Sequence, residues 1–331
     1  MKTDLNIPLK TDNLSIGYPG KLIGENLNLE LTSGDFVCLL GQNGVGKSTL
    51  LKTLAGLIPS LNGFIQINDE PINSLNKYDL ARKLSIVTTE KQSASGLSVL
   101  DVLLAGRYPY QKWLSSPSLE DFEKISSAAD QTNINYLLDK RLDELSDGQR
   151  QKVMIARALV QDGDIILLDE PTAHLDLTNR VEIMSFLMKI AKDQNKTLLV
   201  STHELSLALQ FASQLWLMDY GQPVIQGTPE DLAISGDLNR IYHYQNFQYD
   251  LITGKINTSN ERSAKIKIEA SEDLIYWISN ALDRIGYSPE KEVTVTAKTS
   301  NNLLEWQLIE EGNTYNGRTI NELIKQINRG Q

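Results

Sequence analysis

The stretch Gly41-Gln42-Asn43-Gly44-Val45-Gly46-Lys47-Ser48 decides how the rest of this sequence is interpreted. It follows the pattern G-x-x-x-x-G-K-[ST], in which glycines let backbone N–H groups surround phosphate oxygens while the lysine reaches the outer phosphates. The hydroxyl of Ser48 is suited to binding Mg²⁺. An apolar run from Phe36 to Leu40 precedes the pattern, and helical spacing follows it. Strand, glycine loop and helix in this order predict a phosphate-binding P-loop.

A second apolar run ends in two carboxylates. The run is Ile165-Ile166-Leu167-Leu168, and Asp169 and Glu170 follow it directly. Asp169 is predicted to hold Mg²⁺, directly or through water, and Glu170 to orient an attacking water or accept its proton. An apolar strand before Asp-Glu is by itself typical of many strands that enter a solvated turn. The P-loop upstream is what makes this pair a candidate site.

Composition limits the class of protein. The chain has 331 residues, which corresponds to about two domains. Its 32 basic and 42 acidic residues give a net charge of −10, which argues against a chain that holds nucleic acid mainly through a basic face. The single cysteine, Cys38, allows no intrachain disulfide and favours a reducing cytoplasm.

The sequence predicts neither an export signal nor a membrane span. Residues Met1 to Asn6 lack the basic-then-apolar pattern of a signal peptide. The longest apolar stretches are far shorter than the roughly 20 residues that a span requires. Any work at a membrane is therefore expected to need a partner.

Apolar strands that alternate with helices predict an α/β architecture with a parallel sheet. The alternating segments Leu14 to Tyr18 and Leu27 to Leu31 predict strands with one wet face, and residues from Val99 to about Arg141 have helical spacing. The small polar segment Asn257 to Asn260 predicts a domain boundary. The first domain is predicted over residues 1–258, and a small α+β domain of β-α-β-β-α order over 259–331.

Two further motifs select a family. Leu145-Ser146-Asp147-Gly148-Gln149 lies shortly before the Asp169-Glu170 strand, and Ser201-Thr202-His203-Glu204 lies at the end of the next predicted strand. The order of P-loop, LSxGQ segment, carboxylates and histidine resembles that of ABC-type ATPase subunits. The resemblance covers roughly Leu14 to Gly236.

The resemblance implies a P-loop NTPase fold of the ABC type, with an antiparallel β subdomain and a helical subdomain at about residues 92–160. It implies ATP and Mg²⁺ as the ligands, Ser48 and Asp169 as metal ligands, and Glu170, His203 and Lys47 as the residues that promote hydrolysis. The implied contacts to ATP within one chain are Tyr18, Gly41, Gln42, Asn43, Gly44, Val45, Gly46, Lys47, Ser48 and Thr49. The implied contacts to the ATP of a partner subunit are Ser146, Asp147, Gly148, Gln149 and Asp176.

Three positions depart from the family pattern. Asp147 replaces the first of two glycines in the usual LSGGQ segment, which brings a carboxylate near phosphate unless the side chain points away. Glu204 stands where an aspartate commonly follows the histidine. A glutamine that touches Mg²⁺ and senses the membrane partner usually ends an earlier strand. A gap-free comparison puts Thr89 at that position, with Glu90 and Gln92 close by, and the sequence does not decide which of them acts there.

The resemblance also implies partners. Residues Val102 to Tyr110 resemble a segment found in ATPase subunits of importers for iron–siderophore complexes, haem and vitamin B12. The implied assembly is a homodimer bound to integral membrane permease subunits at the cytoplasmic face of the inner membrane. Such an assembly involves a substrate-binding protein only indirectly, no nucleic acid, and the membrane only through the permease.

Two other functions compete with an importer ATPase. One is a soluble ABC ATPase of the DNA-repair or translation type, which the net charge of −10 and the lack of a long coiled-coil insertion disfavour. The other is a binding and assembly subunit with impaired hydrolysis. Only Thr89 and Asp147 suggest it, and the presence of Glu170 and His203 disfavours it.

Overall fold

The computed structural model describes residues 6–89, 96–111, 116–241, 247–250, 255–258, 266–285, 287, 293–300, 303–310 and 312–329. These residues group into two compact units, one made mostly of residues up to 241 and the other mostly of residues from 256 onward. The boundary predicted at residue 258 stays a prediction, since residues 259–265 lie outside the described part. Within the described residues, no helix is both long and apolar enough to cross a membrane.

The strands are numbered in chain order: β1 (Leu9–Tyr18), β2 (Lys21–Leu27), β3 (Glu30–Leu31), β4 (Phe36–Leu40), β5 (Asn62–Ile67), β6 (Glu70–Pro71), β7 (Leu84–Val87), β8 (Ile165–Asp169), β9 (Thr197–Thr202), β10 (Gln214–Leu217), β11 (Ile225–Gly227), β12 (Phe247–Asp250), β13 (Lys255–Thr258), β14 (Ile266–Glu269), β15 (Val293–Ser300), β16 (Leu303–Glu310) and β17 (Asn313–Gly317). The helices are α1 (Lys47–Leu54), α2 (Lys77–Lys83), α3 (Val99–Ala105), α4 (Leu119–Gln131), α5 (Asp147–Val160), α6 (Leu177–Gln194), α7 (Leu205–Phe211), α8 (Pro229–Ile234), α9 (Asp237–Ile241), α10 (Glu272–Arg284) and α11 (Ile320–Arg329).

A six-stranded sheet forms the centre of the first unit. Its order is β11-β10-β4-β9-β8-β7, and every pairing except that of β11 is parallel. Strands β4, β8 and β9 are buried along their whole length, as expected for parallel strands covered on both faces. Their carboxyl ends therefore lie side by side at one edge, where α/β sheets bind ligands.

The two faces of the central sheet belong to different cores. Val37 and Leu39 pack with the antiparallel sheet β2-β1-β5-β6, whereas Cys38 and Leu40 pack with helices α3 to α6. Alternate side chains of one strand thus enter opposite cores, because successive residues of a strand point to opposite faces. This arrangement packs β4 between two layers, directly before the glycine loop.

The predicted strand Leu27 to Leu31 is wrong as one element. Strand β2 ends at Leu27, and only Glu30–Leu31 continue as β3. Asn26 has a left-handed φ of 55°, and the N–H of Leu29 donates at 2.9 Å to the side-chain oxygen Thr11 Oγ1 on β1 instead of to a backbone carbonyl. The alternation of apolar residues is real, but the backbone turns between β2 and β3.

The predicted helical stretch from Val99 to Arg141 contains two separate α-helices. Ser98 caps α3 and Ser118 caps α4, each with an aspartate three residues later in a capping box. A 3₁₀ turn at Tyr108–Tyr110 holds Pro109, which cannot continue a helix by donating a backbone bond. Residues 112–115 between the two helices lie outside the described part.

The second unit has a four-stranded sheet in the order β14-β15-β16-β17, with only the β14–β15 pair parallel. Helices α10 and α11 contribute Ile278, Leu282, Leu323 and Ile327 to its core. The predicted β-α-β-β-α order omits β17. This strand is short and polar, and it is defined by pairing with β16: Gly317 lies opposite Trp306, where a Cβ would come 2.3 Å from the indole ring.

Candidate nucleotide-binding and hydrolysis site

The glycines of the P-loop are required by their surroundings. A Cβ on Gly41 would lie 2.4 Å from the carbonyl oxygen of Met218. Gly46 has a φ of +117°, and a Cβ there would lie 2.3 Å from Ile23 Cγ2. Gly44 also has a left-handed φ, of +83°. Only glycine adopts these conformations and contacts without strain, so the loop keeps its backbone close to neighbours and its N–H groups available for a phosphate.

Lys47 is the buried cation of the loop. Its side chain is 5% exposed, and its Nζ donates to the carbonyl oxygens of Gly41 at 2.8 Å and Gln42 at 3.1 Å. Burial lowers the pKa of Lys47, although the charge of Glu170 acts in the opposite direction. The ammonium group is thus held at the start of helix α1 by weak carbonyl partners that phosphate oxygens can replace.

The structure brings Ser48 and Asp169 together. Ser48 Oγ donates to Asp169 Oδ1 at 3.0 Å, although the two residues are 121 positions apart. Ser201, on the neighbouring strand β9, donates to the same oxygen at 2.7 Å. A hydroxyl and a carboxylate that converge on one point are hard oxygen donors of the type that Mg²⁺ prefers, so these residues fit the implied metal.

Glu170 lies between two candidate partners. Its Oε1 is 3.8 Å from Lys47 Nζ and 3.8 Å from His203 Nδ1. The backbone of Glu170 has a left-handed φ of 46°, and its N–H donates to Ser201 Oγ at 2.9 Å. A non-glycine residue in this conformation is typical of functional sites, where neighbouring bonds hold it in place. The carboxylate is only partly buried, which leaves it accessible to water.

The residues predicted to face a partner subunit form a second cluster. Ser146 caps helix α5, and Gln149 completes a capping box with it. Asp147 lies in the first turn of that helix and is exposed. A Cβ on Gly148 would lie 3.7 Å from the amide of Asn179, whose Nδ2 donates to Asp176 Oδ2 at 2.8 Å. Gly148 of the LSxGQ segment and Asp176 therefore both lie beside Asn179.

Three other residues of the predicted site are Tyr18, Thr89 and Glu90. Tyr18 ends β1 and is exposed, while Ile23 on the paired strand β2 contacts the P-loop. Thr89 is exposed and follows β7, whose last residue pairs with Leu168 of β8. It therefore lies near the end of the sheet that carries Asp169. Glu90 lies outside the described residues.

Ser201 and Tyr220 support the site, although the motifs assign neither of them a role. Ser201 holds both Asp169 and Glu170, and its place at the end of β9, beside β8, could have indicated this. Tyr220 donates from its hydroxyl to the carbonyl oxygen of Asn43 at 3.0 Å, in a turn after β10. Nothing in the local sequence around Tyr220 indicates that contact.

A P-loop between two packed layers, with a serine–aspartate pair and a glutamate beside the lysine, defines a P-loop ATPase cassette. The family model for ABC transporters matches residues 24–173, and a second model, the iron ABC transporter C-terminal domain, matches residues 263–328. The chain belongs to the ABC transporter ATP-binding protein family, as the similarity of its relatives also shows.

Two relatives and one solved structure illustrate the similarity. An ABC transporter ATP-binding protein of Methanocaldococcus jannaschii is 36% identical over 260 residues, which cover 78% of this chain and 90% of the relative. A petrobactin import ATP-binding protein of Bacillus anthracis is 37% identical over 68% of this chain and 82% of the relative. A dimeric bacterial ABC transporter cassette has a TM-score of 0.59 at 27% identity, over 67% of this chain and 98% of that structure.

Proposed function

We propose that this chain hydrolyses ATP to energise an importer of iron–siderophore, haem or cobalamin-type substrates. The observation that carries the proposal is the meeting of Lys47, Ser48, Asp169, Glu170 and His203 at the carboxyl edge of the central sheet. These side chains come from the start of helix α1 and from the carboxyl ends of β8 and β9, which are far apart in sequence. Together they supply groups for phosphate binding, metal binding and water activation.

Binding begins at the P-loop. Its backbone N–H groups surround the β- and γ-phosphates, and Lys47 exchanges its bonds to the carbonyl oxygens of Gly41 and Gln42 for phosphate oxygens. Ser48 and Asp169 would hold Mg²⁺, which neutralises phosphate charge when bound. Tyr18 stacks on the adenine ring, and Thr49 completes the contacts of the loop. Thr89 and Glu90 are further candidates for the metal.

Glu170 and His203 act on the γ-phosphate end. Glu170 orients the attacking water and accepts its proton, for which its partly exposed carboxylate is suited. His203 contacts the γ-phosphate, and with Lys47 it stabilises the negative charge that develops during transfer. The spacing of 3.8 Å on each side of Glu170 Oε1 leaves this carboxylate free of a tight ion pair.

Hydrolysis requires a second copy of the chain. In a head-to-tail homodimer, the ATP site of the partner subunit is completed by a second set of residues: Ser146, Asp147, Gly148, Gln149 and Asp176. The dimeric cassette among the similar structures supports this arrangement. Asp147 is exposed at the start of α5, so its carboxylate can turn toward solvent and away from phosphate.

The importer role is supported by the relatives. One is a petrobactin import protein, and the C-terminal residues match a domain described as belonging to iron ABC transporters. In the proposed assembly the homodimer binds integral membrane permease subunits at the cytoplasmic face of the inner membrane. A substrate-binding protein delivers the cargo to the permease, and neither nucleic acid nor the cargo itself contacts this chain.

The test combines turnover with membrane association. Glu170→Gln is expected to lower ATP turnover by at least about 100-fold, as loss of a general base does, while ATP binding is retained. Glu182→Gln is the matched control. Glu182 lies on helix α6, is exposed, and forms an ion pair with Lys152 of helix α5. Equal turnover of wild type and Glu170→Gln would refute an active ATPase.

Copurification from detergent-solubilised membranes tests the transport role. Retention of an integral membrane protein together with the tagged chain is the expected result. ATP turnover without any retained membrane protein would instead support the soluble ABC ATPase as the function.

A further inference from the structure

The carboxylate of Glu204 connects two loops of the candidate site. Its side chain is 13% exposed. Thr172 Oγ1 donates to Glu204 Oε1 at 3.1 Å, and Arg180 Nη1 lies 3.1 Å from Glu204 Oε2. Both carboxylate oxygens therefore have partners, and these partners come from the loop after Glu170 and from helix α6.

Arg180 extends the connection toward Asp176. Its Nε donates to the carbonyl oxygen of Leu175 at 2.6 Å, and its backbone N–H donates to the carbonyl oxygen of Asp176 at 3.0 Å. Asp176 in turn caps helix α6 through the backbone N–H of Asn179. The guanidinium group thus fixes the last turn of the loop that ends at Asp176.

On the other side, the backbone of Glu204 is held beside His203. Its N–H donates to Thr202 Oγ1 at 3.1 Å, and its carbonyl oxygen accepts from the N–H of Ala208 at 3.1 Å. A displacement of the His203 backbone when its side chain contacts the γ-phosphate would therefore move Glu204 or strain these bonds. The histidine loop and the segment 171–176 are joined through one partly buried carboxylate.

We propose that Glu204 is a positioning residue that couples γ-phosphate contact at His203 to the placement of Asp176. This inference rests on the proposed function. It makes the loop that faces the partner's site respond to the occupancy of the chain's own site. Charge-assisted bonds in a partly buried setting suit this task, because they are stronger and more directional than neutral ones.

The length of the side chain matters for the coupling. Glu204 has one methylene more than the aspartate that commonly follows the histidine, and it reaches both Thr172 and Arg180 from the histidine loop. Arg180 presents two nitrogens in a fixed fork, so it can bind Glu204 and the Leu175 carbonyl together. A lysine at position 180 could not hold both with the same geometry.

Two variants and one control test the proposal. Glu204→Gln keeps the shape and removes the charge, and Thr172→Val removes only the hydroxyl. Glu182→Gln makes the same change as Glu204→Gln on helix α6 itself, at an exposed residue whose carboxylate accepts from Lys152 of α5 at 2.7 Å. Each purified full-length variant is compared for nucleotide affinity, ATP turnover and hydrogen exchange of residues 171–180 with and without ATP.

In wild type, ATP is expected to slow amide exchange over residues 171–180. Glu204→Gln should abolish this protection and lower kcat by about tenfold, within the usual range of coupling between sites, while ATP affinity changes less than about twofold. Thr172→Val should show a smaller effect in the same direction, and Glu182→Gln none.

Different results would refute the coupling through Glu204 and the proposed ATPase function. Persistence of the ATP-dependent protection in Glu204→Gln would overturn the coupling, whether or not the chain hydrolyses ATP. A parallel fall in affinity, melting temperature and kcat would also overturn it, because that pattern indicates a merely structural role. Protection that depends on Glu204 in a chain without turnover would support the coupling and refute the proposed ATPase.

Discussion

Ser201→Ala is expected to destabilise the protein more than its small change in volume suggests. The Ser201 side chain is fully buried and donates to Asp169 Oδ1 at 2.7 Å. It also accepts from the N–H of Glu170 at 2.9 Å. The substitution removes both contacts from the edge of the sheet where the site lies.

The magnitude follows from the two bonds. A hydrogen bond to a buried charged group contributes about 1.5–3 kcal/mol, and the neutral bond about 1 kcal/mol. The N–H of Glu170 keeps a second acceptor, the Ser201 carbonyl oxygen at 3.2 Å, so it is not left unpaired. We therefore expect the free energy of unfolding to fall by about 2–3 kcal/mol, and turnover to fall because the Asp169 carboxylate and the Glu170 backbone each lose a positioning bond.

Urea unfolding of Ser201→Ala and Ser85→Ala measures this effect. Ser85, on strand β7, is equally buried, but its Oγ has no hydrogen-bond partner among the described residues. Removing that hydroxyl should leave stability unchanged or raise it slightly, because an unpaired buried polar group is unfavourable. If the two alanine variants lose the same stability, the argument from hydrogen bonds is wrong.

Two further predictions concern other contacts. Tyr220→Phe removes the donor to the Asn43 carbonyl, so the KM for ATP should rise about fivefold with kcat nearly constant; steady-state kinetics with an unchanged KM would contradict it. Asp121→Asn breaks a buried ion pair with Arg107 at 2.7 Å and should cost about 3 kcal/mol at neutral pH in urea unfolding. Burial acts to raise the pKa of the Asp121 carboxyl, but hydrogen bonds from Arg107 and Ser118 outweigh it, so the pKa is lowered. Its stabilisation is therefore present above about pH 4 and lost as the pH falls through the folded-state pKa, so the variant should converge with wild type in acid; a constant difference would refute the assignment.

The parts of the site that could be predicted from sequence are those written as contiguous motifs. The P-loop combines residues that phosphate binding requires with a strand before it and a helix after it, and the structure places Ser48 against Asp169. Gly148 of the LSxGQ segment and Asp176 likewise lie beside one residue, Asn179. In each case the residue type itself carries the chemistry.

The contacts of Ser201 and Tyr220 with the site depend on which strands become neighbours in the sheet. Ser201 acts on Asp169 because β9 pairs with β8 in a register that puts these residues opposite each other. Tyr220 reaches Asn43 because β10 runs beside β4. Hydrophobic periodicity indicates that such strands exist and how they are buried, but it does not give their order or register.

The same dependence on strand pairing explains the two differences between the predicted and the observed fold. Leu27 to Leu31 alternates like a single strand, yet Thr11 on another strand supplies the bond that lets the backbone turn there. Strand β17 has few apolar residues, and it forms because β16 offers it a paired edge. Local propensity is weak in both segments, and tertiary pairing decides the outcome.

The strand order of the central sheet also determines when the P-loop can be completed during synthesis. Strand β4 is wholly buried and pairs only with β9 and β10 among the described strands, and Phe36 meets Leu198, which is made 162 residues later. At about 5–20 residues per second, the ribosome needs roughly 8–30 s to supply that neighbour. Throughout this interval the apolar strand before the P-loop has no sheet partner. The nascent chain therefore carries an aggregation-prone segment that nucleotide cannot protect, because the site does not exist before β8 and β9 have emerged.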